Sequence, residues 1–368
     1  MKRRDFLKGA GAGAVAGAGL TMAPLAGAAN LPRLRWRMVT SWPNSLDTIY
    51  GGAEDVAKYV SQLTGGRFRI RPYAGGELVG GLQVLDAVSA DTVEMGHTAS
   101  YYYIGKSPAL AFDCTVPFGM TTRQQNAWQM QGGGNELLNK EVFSQFGIMS
   151  LPAGNTGVQM GGWFRKPVPD LKSLQGLKMR IPGFGGKVMA KLGVNVQTLA
   201  GAEIYPALER GVIDAAEFVG PYDDQKLGFY QVAKYYYAPS WWEPNAQLSV
   251  YINNKRWASL PRQYQDALRI ACAAANWNMV AKYDAKNPPA LKSLMSKGVK
   301  LEKFSNDIMT AAQKAAFEIY DGLNQTDPTW RKIYGEWLKF RNMEFAWAAA
   351  DQLVYESFAF PQVPLKDL

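Results

Sequence analysis

The sequence predicts an α/β protein of two lobes around a hinged cleft, with a long helix at its C-terminal end. Three observations carry this expectation. Strand-like and helix-like segments alternate twice along the chain, Gly-rich turns punctuate them, and the last third changes to helical spacing.

The first residues stand apart from that fold. Lys2-Arg3-Arg4-Asp5 is followed by a Gly-, Ala- and Leu-rich run from Gly9 to Leu25 and by Ala26-Gly27-Ala28. A basic start, a weakly apolar middle and a small-residue cleavage site read as a signal peptide, with its twin arginine suited to the Tat route. The run is too Gly-rich for a good membrane span. Residues 1–28 are therefore set aside as leader, and roughly 340 residues remain, enough for two domains of ordinary size.

Composition excludes several chemistries. The formal charge is +9, of which the leader holds +3, leaving +6 on scattered residues. That balance suits anionic ligands and forms no nucleic-acid stripe. His97 is the single histidine, which removes most zinc sites, Ser-His-Asp catalysis and most haem ligation and leaves a structural or pocket-lining role. Cys114 and Cys272 are the two cysteines, with no metal or redox spacing. They could pair in an oxidising compartment, but their apolar neighbours favour two buried thiols.

The elements then follow in order. Leu34 to Thr40 alternates as a half-buried strand. Asp47 can cap a helix with Ile49, Ala53, Val56 and Val60 on one face, stopped by Gly65-Gly66. A strand from Arg67 to Pro72, a short helix through Leu82, Leu85 and Val88, and a strand at Val93 and Met95 complete a β-α-β-α-β march, the signature of a parallel sheet. A second unit starts with a strand near Phe146 to Leu151. It continues through a strand at Gln159 to Phe164, another at Lys178 to Ile181, helices ending at Gly193 and Gly211, and a strand at Val212 to Ala216. The chain returns to the first unit after Tyr235 to Glu243. Residues 29–150 with part of 244–368 thus form the first lobe and its helices, and 151–243 the second. From Pro261 the chain reads as helical, and Asp327-Pro328 opens a helix to about Phe358, studded with Trp330, Trp337, Phe340, Phe345 and Trp347.

Few motifs carry chemistry. Gly183-Phe184-Gly185-Gly186 lacks dinucleotide spacing and a P-loop lysine, so it reads as a tight turn at a helix start. The adjacent Asp223-Asp224 reads as solvated or capping, since glycosidase chemistry needs acids facing each other across a cleft. Arg180, at a strand end, suits a bidentate ligand carboxylate, and equally a plain surface arginine. Glu217 ends a strand, and Glu243 follows Trp241-Trp242. Carboxylates in such apolar settings need a cation or metal.

Taken together these segments resemble a known family. Ile204 to Glu217, Leu177-Lys178-Met179-Arg180 with Gly183, Gly154 to Phe164, Gly220-Pro221-Tyr222-Asp223-Asp224 and Trp241-Trp242-Glu243 resemble the DctP family. Its members are the extracytoplasmic receptors of TRAP (tripartite ATP-independent periplasmic) transporters, and the motifs point to its α-keto-acid-binding branch. The resemblance spans the mature chain and implies a periplasmic-binding-protein-like fold, a periplasmic location and a non-enzymatic role. It implies a small organic acid as ligand: a 2-oxo acid such as pyruvate, or a 2-hydroxy acid such as lactate. By the same resemblance Arg180 meets the ligand carboxylate. Gln159, Glu217, Glu243 and the Phe218 carbonyl hold a sodium or calcium ion that bridges protein and ligand. Asn155 and one of Tyr101-Tyr102-Tyr103, taken as Tyr101, join the ligand site. The family branch usually carries Trp at the Phe218 position. The partners implied are the TRAP membrane subunits and a second copy, through the C-terminal helix. The competing reading is a Tat-exported periplasmic oxidoreductase, for which the sequence offers no cofactor fingerprint.

Overall fold

The computed structural model describes residues 31–364, so the expected leader and the expected mature start near Ala29 lie outside the described residues. Among these described residues, eleven strands build two sheets. The first contains β1 (Leu34–Thr40), β2 (Phe68–Tyr73), β3 (Met95–Thr98), β4 (Ile148–Asn155) and β10 (Gln247–Asn253), in the order β2-β1-β3-β10-β4. The second contains β5 (Trp163–Phe164), β6 (Lys178–Arg180), β7 (Asn195–Gln197), β8 (Ala215–Ala216), β9 (Tyr235–Ala238) and β11 (Lys300–Lys303), in the order β11-β9-β5-β8-β6-β7.

The β-α-β-α-β reading gives the three parallel strands of the first sheet, β2, β1 and β3. β10 enters antiparallel between β3 and β4, so the sheet is mixed rather than wholly parallel. Alternation explains β1: Trp36 and Met38 are buried while Arg35 and Arg37 face solvent. Between β1 and β2 runs α1 (Ile49–Leu63), with Ile49, Ala53, Val56 and Val60 buried. It stops where Gly65 and Gly66 take positive φ values of 57° and 73°, a conformation that costs glycine little. Asp47 does not cap this helix. Its carboxylate instead pairs with Lys226 and Lys286, drawn to two ammonium groups rather than to the orphan N–H groups.

The other helices are α2 (Val84–Ser89), α3 (Ala111–Cys114), α4 (Thr122–Met130), α5 (Gly134–Glu141), α6 (Gly183–Lys191), α7 (Gly201–Glu209), α8 (Pro221–Lys226) and α9 (Asn254–Ser259). The helical last third comprises α10 (Arg262–Ser296), α11 (Asn306–Thr326), α12 (Pro328–Ala350) and α13 (Gln352–Ala359). It is not wholly helical, because β11 crosses to pair with β9 in the second sheet. Asp327 caps α12, accepting the Trp330 N–H at 2.9 Å, with Pro328 in the first turn. The expected single helix to Phe358 is interrupted at Asp351, whose φ of −132° is not helical. Trp330, Ile333, Tyr334 and Trp337 bury the first half of α12, with the Trp330 ring 4.6 Å from Phe112 and 5.1 Å from Phe184. Beyond them Met343, Trp347, Leu353, Val354, Tyr355 and Phe358 are exposed. Cys114 and Cys272 are both buried free thiols.

Candidate functional site

The polar residues singled out at strand ends meet between the two sheets. Arg180 ends β6 and is buried, not a surface arginine. Its Nε donates to the Leu199 carbonyl at 3.1 Å, and its Nη1 donates to the Glu217 carbonyl at 2.7 Å and to the Glu217 carboxylate. Its Nη2 is buried with no hydrogen-bond partner. The guanidinium therefore has one fully formed side and one N–H edge still free to grip an anion.

Around it lies a cavity of about 10 Å³, walled by Trp42, Tyr101, Tyr102, Thr156, Gln159, Phe218 and Val219 among others. That is room for one water or ion, so an organic acid enters only when the walls part. Tyr101 and Tyr102 both line it, because Ser100–Tyr103 forms a 3-10 turn rather than a strand and neighbouring side chains can face one side. Burial raises both phenols, so each stays a hydrogen-bond donor. Tyr103 turns away to bond Thr98 at 2.9 Å. The Phe218 ring centre lies 5.8 Å from the Arg180 guanidinium carbon.

The carboxylates outnumber the cation. Glu217 and Glu243 are buried, and the Gln159 amide lies beside the Glu243 carboxyl. Burial raises both acids. Arg180 opposes the shift, and each has a further carboxyl neighbour, Asp224 for Glu217 and Glu217 for Glu243. With both carboxyls ionised, three oxygens here are buried without a donor: Gln159 Oε1, Glu217 Oε2 and Glu243 Oε2. Glu217 and Glu243 lie within hydrogen-bond reach of each other, so either a shared proton or a cation must stand between them. Gln159 uses its nitrogen on Thr156 Oγ1 at 3.1 Å, which leaves that oxygen to point elsewhere. Among the described residues no three His, Cys, Asp or Glu side chains group as metal ligands. Two carboxylates and an amide, with the Phe218 carbonyl expected beside them, fit a hard cation such as sodium or calcium, and not zinc or copper.

Asn155 is not a wall of this cavity. Its amide donates to Asn245 at 3.0 Å and accepts from the Gly157 N–H at 2.9 Å, within a buried network that continues from Gln247 to Asn276 at 2.8 Å. The reading of Asp223 and Asp224 as solvated is corrected, for both are buried. Tyr283 donates to Asp223 at 2.6 Å, and Tyr236 and Trp163 donate to Asp224 at 2.7 and 2.9 Å. Those donors come from distant segments, so adjacency in sequence gave no sign of them. Gly183 behaves as the turn expected of it, with a φ of +63° and the Tyr101 Cβ only 3.1 Å from where its own Cβ would sit. Trp42 and Thr156 were not singled out. The signal for Trp42 was its place just past the C-terminal end of β1, where open sheets form ligand crevices. His97 holds that indole, its Nδ1 accepting from Trp42 Nε1 at 2.8 Å.

This arrangement can be set beside known proteins. The chain is 54% identical over 331 residues to a monocarboxylate 2-oxoacid-binding periplasmic protein of Nostoc sp., spanning 90% of each. It resembles a TRAP transporter solute-binding protein of Bordetella bronchiseptica, a mixed-occupancy dimer with calcium and picolinate in one active site. That match has a TM-score of 0.88 and 47% identity over 90% of this chain and 98% of the other. A TRAP periplasmic solute-binding protein of Pseudoalteromonas atlantica, with bound sodium and pyruvate, matches at a TM-score of 0.85 and 39% identity, covering 89% and 99%. The family model of bacterial extracellular solute-binding proteins, family 7, matches residues 38–326, and with these likenesses the chain belongs to the DctP family of solute receptors.

Proposed function

We propose that this receptor captures a small 2-oxo acid such as pyruvate, or a 2-hydroxy acid such as lactate, through Arg180 and a sodium or calcium ion, and delivers it to TRAP membrane subunits. The observation that carries the reading is the trio of unpartnered buried oxygens on Gln159, Glu217 and Glu243 beside a guanidinium with one free edge. In a dry site one arginine cannot balance two carboxylates. A bound ion supplies the missing charge and open coordination positions for ligand oxygens. Arg180 Nη2 grips the ligand carboxylate, Tyr101 and Tyr102 offer phenol donors, and Phe218 limits the ligand's size. Asn155 acts from behind by fixing the Gly157 turn. The relatives that hold pyruvate or picolinate with sodium or calcium support the same chemistry here.

The test is a pyruvate titration into exhaustively chelated, sodium-free protein. Affinity should fall at least about tenfold and return with one of the two ions. Undiminished affinity would leave Glu217 as a simple partner of Arg180 and eliminate the ion. Arg180→Lys should weaken pyruvate by about 2 kcal/mol, since an ammonium cannot keep three acceptors and still offer a second edge to the ligand.

The location we infer is the periplasm, reached by the Tat route on Arg3 and Arg4. Delivery should stop when both are changed to Lys, and unchanged delivery would point to the general secretory route. The bare apolar end of α12 and α13 supports a homodimer through the C-terminal helix. The oxidoreductase alternative has no support from the relatives named above, which are solute-binding proteins.

A further inference from the structure

β1 and β2 pair in parallel with Arg35 opposite Arg69 and Arg37 opposite Arg71. Residues opposite each other in such a pair share a face, so four arginines form a block springing from one patch of sheet, whose backbone positions lie about 4.8 Å apart across the strands and about 6.7 Å apart along them. All four are exposed, while Trp36, Phe68 and Ile70 on the other face are buried. Glu94 takes Arg37 bidentately at 2.8 and 3.2 Å. Arg35, Arg69 and Arg71 have no carboxylate partner among the described residues.

Two features of this block run against ordinary sheet economy. Parallel strands are normally covered on both faces, and here one face is bare. Like charges directly opposite each other on a sheet are destabilising. Guarding an edge strand against aggregation explains charge on β2. It does not explain matching arginines on β1, which lies one strand in.

We infer that this arginine block is a docking surface for an anionic phospholipid bilayer. Guanidiniums match phosphate bidentately, and several exposed arginines rising from one sheet face suit a surface of anionic headgroups. An acidic strand added to the edge is less well served, because Pro72 removes a backbone donor from β2. The block ends at the middle of β1 with Arg37, whereas the cavity wall begins past β1 at Trp42. Docking through it leaves the ligand site uncovered, and confines the search for membrane subunits to a surface. The inference rests on the extracytoplasmic reading above but not on the ligand or the ion.

The test is co-sedimentation of the mature chain with vesicles containing phosphatidylglycerol and with vesicles of phosphatidylcholine alone, at low salt. The protein should bind the first and not the second. The triple change Arg35→Gln, Arg69→Gln and Arg71→Gln should weaken binding on the order of a hundredfold, about fivefold for each cation near an anionic surface. Its thermal midpoint should hold or rise, since like charges are removed, and its pyruvate affinity should be unchanged. A control changing the exposed Lys166, Lys172 and Lys314 to Gln loses the same net charge and should keep vesicle binding. No binding to phosphatidylglycerol, or equal loss in both triple variants, overturns the inference. Unbound vesicles together with slowed uptake by the arginine variant in a reconstituted transporter would make the block a protein contact instead.

Discussion

His97 is held between two partners of opposite kind. Its Nδ1 accepts from the Trp42 indole at 2.8 Å, and its Nε2 lies 3.3 Å from the Ala153 carbonyl, which fixes the neutral tautomer with the proton on Nε2. Protonation would place a second hydrogen against the indole N–H. Burial lowers its pKa to about 4 from 6.5. A depressed folded-state value gives stability that is present above 6.5 and lost as pH falls through about 4, on the order of 3 kcal/mol in all. Asp223 and Asp224, raised by burial to about 6 and about 7, act in the opposite sense. The difference between the parent chain and His97→Gln isolates the imidazole. Denaturant unfolding across that window should show the variant losing less stability on acidification; parallel curves would refute this account. The sequence marked His97 as structural or pocket-lining by elimination, but not its hold on Trp42, because β1 and β3 had to be paired first.

Elements with a periodic apolar face were legible, and elements defined by their partners were not. β1, α1 and the start of α12 declare themselves through alternation, helical spacing and the Asp327-Pro328 cap. β7 and β11 are short and have no buried residue, and Lys300-Leu301-Glu302-Lys303 becomes a strand only because Tyr235–Ala238 lies beside it. The site shows the same division: Arg180, Glu217 and Glu243 stand out as polar residues in apolar runs, while the orientation of the Tyr101 to Tyr103 turn depends on the packing behind it. At α12 and α13 the large apolar side chains beyond Phe340 exceed what one subunit covers. Changing Trp347 and Phe358 together to Asp should turn a dimer into a monomer in analytical ultracentrifugation. Each change is made in both protomers, so about 2 kcal/mol for each of four lost anchors weakens the dimer by about a millionfold. A parent chain that is monomeric at micromolar concentration would remove the dimer from consideration.

For the whole molecule, the narrow cavity between the sheets implies that ligand exchange needs the walls to separate. α8 is the element to watch, since it follows Phe218 and is tied to the start of α1 and to α10 through Asp223, which bonds Thr48 and Tyr283. We expect the two sheets to close on the ligand. X-ray scattering should give a smaller radius of gyration with pyruvate and ion than without. An unchanged radius would mean that only side chains move.

The strand orders also bear on how the chain is made. β4 finds its place in the first sheet only through β10, which is synthesised long after it, and the second sheet receives its edge strand, β11, later still. Neither sheet can be finished by a chain that emerges in order, and closing such wide loops before any pairing is gained makes folding slow. The two sheets therefore cannot both be complete before β11 has been made, and any machinery that waits for a folded passenger waits for that strand.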